Sequence, residues 1–137
     1  MTDKILKSSL SEMQGALFVM RGEEGYESGI FVKAFMNSKI TEGLDSDFDF
    51  MQWAGKEYVM ERMKDEYPEA FVKGGTVYDR EALYWMGYLY RYWYFYSGET
   101  SKAIYKIADA ATLNTMYYGF HTLSMGMAVD RLIEVKK

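Results

Sequence analysis

Residues 84–96 read Tyr-Trp-Met-Gly-Tyr-Leu-Tyr-Arg-Tyr-Trp-Tyr-Phe-Tyr, so nine of these thirteen side chains carry an aromatic ring. Six of the nine are tyrosines, which combine a large apolar body with a hydroxyl that needs a hydrogen-bond partner when it is buried. Such a segment is unfavourable when water surrounds it on all sides. We therefore expect the rest of the chain to be arranged around it.

The aromatic segment fits two kinds of secondary structure. Tyrosines at every second position from Tyr88 to Tyr96 follow the period of a β-strand. Against a strand, Asp79 offers a helix N-cap, and a strand of about 18 residues would be exceptional in a small domain. A helix places one apolar set on a single face, namely Ala82, Trp85, Met86, Leu89, Trp93 and Tyr96. The sequence therefore predicts a central helix over residues 79–97.

Apolar residues recur at three- and four-residue spacing elsewhere in the chain, which is the period of amphipathic helices. Gly43 and Gly119 are placed to end two of these helices. The other predicted helices cover Asp3–Met20, Ser28–Thr41, a segment from Ser46 to the residue before Pro68, Thr100–Ala108, Asp109–Tyr118 and a last segment after Ser124. We predict a compact all-α fold, with a single domain over residues 1–137. It is a bundle of about six helices whose core contains Trp53, Trp85 and Trp93.

The composition is that of an ordinary globular domain. Of 137 residues, 49% are hydrophobic and 26% are charged, and both shares are near the average. The absence of cysteine excludes disulfides, thiol catalysis, iron–sulfur clusters and thiolate zinc sites. The N-terminus lacks the pattern of a signal peptide, and the apolar segment from Ala82 to Tyr96 is too short to span a membrane. We expect a cytoplasmic protein with no membrane partner.

Charge is distributed unevenly along the chain. The net charge is −4, and residues 1–68 carry eight basic and thirteen acidic side chains. Because phosphate recognition needs clustered Lys and Arg, we do not expect a nucleic-acid partner. The alternative is a DNA-binding regulator that uses residues 100–118, two short helices comparable to a helix-turn-helix. The second of these helices lacks Lys and Arg, whereas the acidic first half suits a basic partner.

Arg91 is the one cation inside the aromatic segment. A buried arginine requires compensation, so we expect it to stack on tyrosine rings or to pair with Glu57 or Glu61 of the third helix. The alternative is an anion-binding arginine surrounded by tyrosine hydroxyls. The protein would then be a small-molecule binder or an enzyme, with Arg91, His121 and these hydroxyls around one pocket.

His121 is the only histidine, and an imidazole can act as a general base or a metal ligand. Its sequence neighbours Thr122, Ser124 and Asp130 match no nucleophilic motif, and no second His or Cys is present to share a metal. We favour a structural histidine that packs on a ring and bonds to the backbone. The sequence predicts no catalytic residue, no metal and no cofactor, and we favour a protein that is not an enzyme.

A helix that is aromatic on all sides has more rings than one core can cover, and Tyr and Trp are enriched in interface hot spots. We therefore expect a protein partner, and the pattern is also compatible with a homo-oligomer. The residues that we expect at a binding site are Arg91, His121, Tyr88, Tyr92 and Trp53.

Residues 81–93, with the pattern Tyr-Trp-x-Gly-Tyr-x-Tyr-Arg-Tyr-Trp, resemble a signature of small uncharacterised bacterial proteins. Residues 101–106, 120–122 and, upstream, 50–55 are similar in the same order, so the resemblance covers roughly residues 35–135. Members of that family are often encoded beside toxin–antitoxin-like genes. The resemblance implies a non-enzymatic interaction module, an antitoxin-like component of a gene pair whose partner is the product of a neighbouring gene. It implies no activity and no catalytic residues.

Overall fold

The computed structural model describes residues 2–46, 52 and 54–136, and in this part the chain is all-α, as predicted. These residues form eight α-helices, more than the six expected, a short 3-10 turn and no strand beyond an isolated bridge between Tyr26 and Lys73. The helices are α1 (Thr2–Glu23), α2 (Ser28–Met36), α3 (Lys39–Leu44), α4 (Lys56–Glu66), α5 (Arg80–Ser97), α6 (Ser101–Ile107), α7 (Ala110–Phe120) and α8 (Met125–Lys136), and the turn is Pro68–Ala70.

The aromatic segment is helix α5, with Asp79 at its N-cap position and Gly98 directly after its last residue. Gly98 has a φ of +79°, a left-handed conformation that glycine adopts without strain and that ends the helix. The helix contacts α1, α6, α7 and α8. Most of the predicted inner face is buried, namely Ala82, Trp85, Met86, Leu89 and Trp93. Tyr96 is 48% exposed instead, because its hydroxyl donates to the carboxylate of Asp130 at the surface.

Helices α1 and α5 form the most extensive helix pair among the described residues. A methyl group on Gly87 would lie 2.5 Å from the backbone oxygen of Gln14, and one on Gly15 would lie 2.8 Å from the ring of Tyr84. By propensity alone Gly15 disfavours a helix. The close approach of the two backbones outweighs that preference, and α1 continues beyond the predicted end to Glu23.

The single helix predicted over Ser28–Thr41 is two helices, α2 and α3, which meet at Ser38. Ser38 has an extended backbone (ψ 160°), and its hydroxyl accepts a hydrogen bond from the N–H of Thr41 at 3.1 Å. Such a bond starts a new helix in place of continuing the old one. Gly43 lies inside α3, which ends with Asp45 as its cap, so the predicted capping role of Gly43 is wrong.

The third predicted helix begins later than expected, at Lys56. The preceding Gly55 has a φ of +86°, which is incompatible with a helix and prevents extension toward the N-terminus. Ser46 and Asp49 are spaced as in a capping box, which predicts a helix start at Ser46, and Trp53 is a predicted core residue. Both Asp49 and Trp53 lie outside the described residues.

The three C-terminal helices begin where predicted. The side chains of Thr100 and Asp109 accept hydrogen bonds from backbone N–H groups three residues further on, and Ser124 caps α8 in the same way. Helix α7 continues past Gly119 to Phe120, so the prediction that Gly119 closes it is wrong.

One hydrophobic cluster receives side chains from all of these helices. In it the ring of Phe18 meets the rings of Phe31 and Phe35 edge-on, at centroid distances of 6.1 and 5.6 Å. Tyr90 packs beside Phe18 and donates its hydroxyl to the carbonyl of Ala108 at 2.7 Å. No helix in the described part of the chain has both the length and the apolar character that crossing a membrane requires.

Candidate functional site

Tyr84, Tyr88, Tyr92 and Tyr96 follow one another at four-residue spacing along α5, and we call them the tyrosine stripe. Residues four apart lie on the same side of a helix. The rings of Tyr84 and Tyr88 are 6.1 Å apart, and those of Tyr92 and Tyr96 stack at 5.5 Å with an interplanar angle of 24°. Tyr84 is 40% exposed and Tyr96 48% exposed, whereas the two between them are half-buried. The stripe is therefore a partly exposed surface beside the core.

An open cleft of about 510 Å³ adjoins the N-terminal half of the stripe, and we call it the aromatic cleft. Its volume lies within the range of about 300–1,000 Å³ that small-molecule sites occupy. Five ring-bearing residues line it, namely Tyr84, Trp85, Tyr88, Tyr117 and His121. The remaining walls come from Val19, Arg80, Glu81 and Met125. The cleft is thus built from α5, the α7–α8 corner and one residue of α1.

Trp85 and Tyr117 hold the two sides of the cleft together. Their ring centroids lie 5.7 Å apart with an interplanar angle of 71°, an edge-to-face contact that joins α5 to α7. Trp85 is only 5% exposed, and its indole N–H has no hydrogen-bond partner among the described residues. The cleft therefore rests on a rigid aromatic contact.

The lining of the cleft contains one acidic and one basic side chain, Glu81 and Arg80. Glu81 is exposed and has no ion-pair partner in the described part of the chain, whereas Arg80 is paired with Glu23 of α1. The pKa of Tyr84 is raised, first by partial burial and then by the negative charge of Glu12, which indicates a further carboxylate close to the rings. The cleft therefore combines aromatic rings with one carboxylate, that of Glu81, which has no ionic partner in the described part of the chain.

His121 packs and bonds in the structural manner that the sequence predicts. Its ring stacks on Tyr117 at a centroid distance of 4.5 Å, and its Nδ1 bonds to the carbonyl of Tyr117 at 2.8 Å. Within the described residues no carboxylate or nucleophile is bonded to the imidazole. At the mouth of the cleft His121 offers a flat ring without the partners that a general base requires.

Arg91 is in the core, 1% exposed, and does not line the cleft. Its carboxylate partner is Asp45, at 2.6 Å, so the predicted pairing with Glu57 or Glu61 is wrong. Asp45 follows α3, and the early end of that helix brings it to α5 while the later start of α4 leaves Glu57 exposed.

The guanidinium of Arg91 is bonded on every nitrogen. Its Nε donates to the Oε1 of Gln14 at 3.0 Å, and its two terminal nitrogens donate to Asp45 and to the hydroxyl of Ser101. The ring of Tyr94 lies 5.3 Å from the guanidinium carbon, which confirms the predicted stacking on tyrosine. Burial lowers the pKa of Arg91, and the Asp45 carboxylate opposes this effect. Arg91 is therefore held by protein groups inside the core, where a ligand has no access to it.

The residues expected at a binding site fall into separate places. Tyr88 and His121 meet at the aromatic cleft, and Tyr92 lies further along the stripe, against Gly126 of α8. Arg91 is in the core, and Trp53 lies outside the described residues. The structure thus does not bring Arg91 and His121 together around a pocket.

Sequence reasoning missed the other walls of the cleft. The four-residue spacing of the stripe is a local signal that would have selected Tyr84, and Glu81 and Trp85 are within one turn of it. Tyr117 and Met125 carry no such signal, because tertiary packing alone brings them to α5.

Residues 100–118 form α6 and most of α7, so the two short helices predicted there are present. Helix α7 carries no Lys or Arg, whereas Lys102 and Lys106 lie on the seven-residue α6. This arrangement offers little positive charge to a DNA backbone.

Comparison of the chain with protein-family models, with curated proteins and with solved structures found no match. Across the described residues, no cluster of three or more His, Asp or Glu side chains could hold a metal ion.

Proposed function

We propose that this protein is a cytoplasmic, non-enzymatic interaction module that binds a protein partner through the tyrosine stripe and the neighbouring end of α7. The observation that carries the proposal is the partial exposure of four regularly spaced tyrosines on a helix that buries half of its residues in the core. Tyr118, beside Tyr117 at a centroid distance of 6.1 Å, is 85% exposed and extends the aromatic surface. Rigid aromatic side chains of this kind are frequent anchors of protein interfaces.

The partner that fits best is the product of a neighbouring gene, with a basic surface. The resemblance of residues 81–93 to the signature of gene-pair proteins implies an antitoxin-like role, and the acidic first half of the chain suits a positively charged partner. A homo-oligomer through the same stripe is the alternative. The pocket around Arg91 and His121 finds no support, because Arg91 is buried in the core, where each of its nitrogens bonds to a protein group, and does not line the cleft.

Co-expression with the adjacent gene product and tandem purification test the proposal. The paired substitution of Tyr84 and Tyr118 by Ala should reduce the amount of co-purified partner by at least tenfold, in line with the loss of about 1.4 kcal/mol or more at hot spots. Tyr58→Ala on α4 is the matched control, because Tyr58 is a partly exposed tyrosine outside this surface.

Partner recovery that is unchanged in the Tyr84/Tyr118 variant would reject the proposed surface. A wild-type chain that stays monomeric and retains no neighbour product would reject the interaction function itself.

A further inference from the structure

We propose that the aromatic cleft is a binding site for an alkylated ammonium cation. This inference concerns a ligand of the cleft and goes beyond the proposed protein interaction, on which it does not depend. It rests on three observations, which are the ring content of the walls, the charge around them and the open access to the space that they enclose.

The walls present π-faces in several directions. Helix α5 contributes Tyr84 and Tyr88, whose rings are tilted by 42° to each other, and Trp85, which meets Tyr117 at 71°. His121 stacks on Tyr117 and adds its own ring to the lining. The face of an aromatic ring carries negative charge density. Several rings at different angles around one space therefore attract a cation, and they do so without forming hydrogen bonds to it. Val19 and Met125 add the aliphatic part of the lining, so most of the wall is aromatic.

The charged side chains at the cleft favour a ligand with a positive charge. Glu81 lines the cleft without an ion-pair partner among the described residues, and Glu12 is close enough to Tyr84 to act on it electrostatically. The one arginine of the lining, Arg80, is compensated by Glu23. An anion would meet the Glu81 carboxylate and several rings, whereas a bulky ammonium ion would be attracted by both.

Choline and its neutral carbon isostere, 3,3-dimethylbutan-1-ol, separate the effect of charge from that of shape. We expect choline to shift the amide signals of residues 80–88 and 117–125 saturably in an NMR titration, with an affinity at least about fivefold above that of the isostere, since each cation–π contact contributes about 1 kcal/mol. Equal affinities, no saturable shift with choline or stronger binding of acetate would overturn the proposal.

Glu81→Gln tests the carboxylate and leaves the fold unaffected, because Glu81 is exposed in the first turn of α5. We expect the affinity of this variant for choline to fall by about threefold or more and its affinity for the isostere to stay unchanged. Glu134→Gln on α8 is the matched control and should bind choline as the wild type does. Tyr84→Leu should weaken choline binding more than Tyr96→Leu, which changes an equally exposed tyrosine outside the cleft. Indistinguishable effects within either pair would contradict the assignment.

A peptide with an Nε-trimethyl-lysine distinguishes the two sources of such a cation. Binding of the peptide at least about tenfold tighter than choline would place the cation on a protein side chain, and equal affinity would favour a free small molecule. If the wild-type protein co-purifies with a partner but does not bind choline, this inference alone is rejected. If it binds choline but co-purifies with no partner, the proposed interaction alone is rejected.

Discussion

Asp45 receives hydrogen bonds on both carboxylate oxygens, from Arg91 and from the N–H and hydroxyl of Ser101. Its backbone carbonyl also accepts the hydroxyl of Tyr94 at 2.6 Å. The side chains of Arg91 and Asp45 are 1% and 7% exposed, so each charge depends on the other for compensation. This residue pair connects the end of α3 to α5 and α6, across 46 and 56 positions of sequence.

We expect Asp45→Asn to lower the free energy of unfolding by about 3–5 kcal/mol, because it leaves the charge of Arg91 buried without a carboxylate. Urea denaturation followed by circular dichroism measures the loss. The control is Asp65→Asn on α4, an exposed position where the change should stay within about 0.5 kcal/mol. The double variant with Arg91→Met should lose less than the sum of the two single variants, and strictly additive losses would contradict the coupling.

At the scale of the element, the caps explain where most helices start, and glycine explains how two of them pack. The N-caps Thr100 and Asp109 act through local bonds that any sequence reading can anticipate. Gly15 and Gly87 act through the contact of α1 with α5, which is not visible in either helix alone.

Gly87→Ala should destabilise the protein by about 1–3 kcal/mol, because the new methyl group meets the backbone of α1, which cannot move aside as a flexible side chain would. Thermal and urea denaturation provide the measurement. Gly119→Ala is the matched helical control, since nothing lies within 4 Å of its added methyl, and its improved propensity should stabilise by up to about 1 kcal/mol. A neutral or stabilising effect of Gly87→Ala would contradict the close contact between the backbones of α1 and α5.

At the scale of the whole molecule, the number of protected tyrosines predicts sensitivity to alkaline pH. Burial raises the pKa of Tyr90 well above its ordinary value, and it also raises the pKa values of Tyr78 and Tyr105. Below about pH 10 the folded and unfolded states both hold these protons. Above it the unfolded chain releases them while the folded chain retains them, so stability is lost as the pH rises.

We expect the free energy of unfolding to fall as the pH rises above 10, with a slope that approaches about 1.4 kcal/mol per pH unit for the buried Tyr90 and is smaller for the partly exposed Tyr78 and Tyr105. Urea denaturation at a series of pH values measures this slope. Tyr90→Phe should be less stable at neutral pH, because it removes the hydrogen bond to Ala108. Its unfolding free energy should fall less steeply with pH, because one tyrosine fewer titrates on unfolding. An unchanged slope would show that Tyr90 is not protected.

Local patterns were sufficient for the helical class, because three- and four-residue spacing and the caps at Thr100, Asp109 and Ser124 are properties of short segments. Asp79 occupies the N-cap position of α5 without a side-chain capping bond. They were insufficient at Ser38 and Gly43. At Ser38 the side chain accepts a hydrogen bond from the backbone N–H of Thr41 and starts a new helix, and at Gly43 the helix continues by one residue to the buried Leu44.

The amino-acid sequence by itself therefore determined that the chain is all-α, that its aromatic segment is helical and that Arg91 needs compensation, since these follow from spacing, capping and the cost of burying charge. Only the tertiary structure decided that Asp45 provides this compensation and that Tyr117, His121 and Met125 meet α5 at the aromatic cleft. Residues far apart in sequence come together through the packing of whole helices, and no local pattern of side chains specifies which of several carboxylates or rings will arrive.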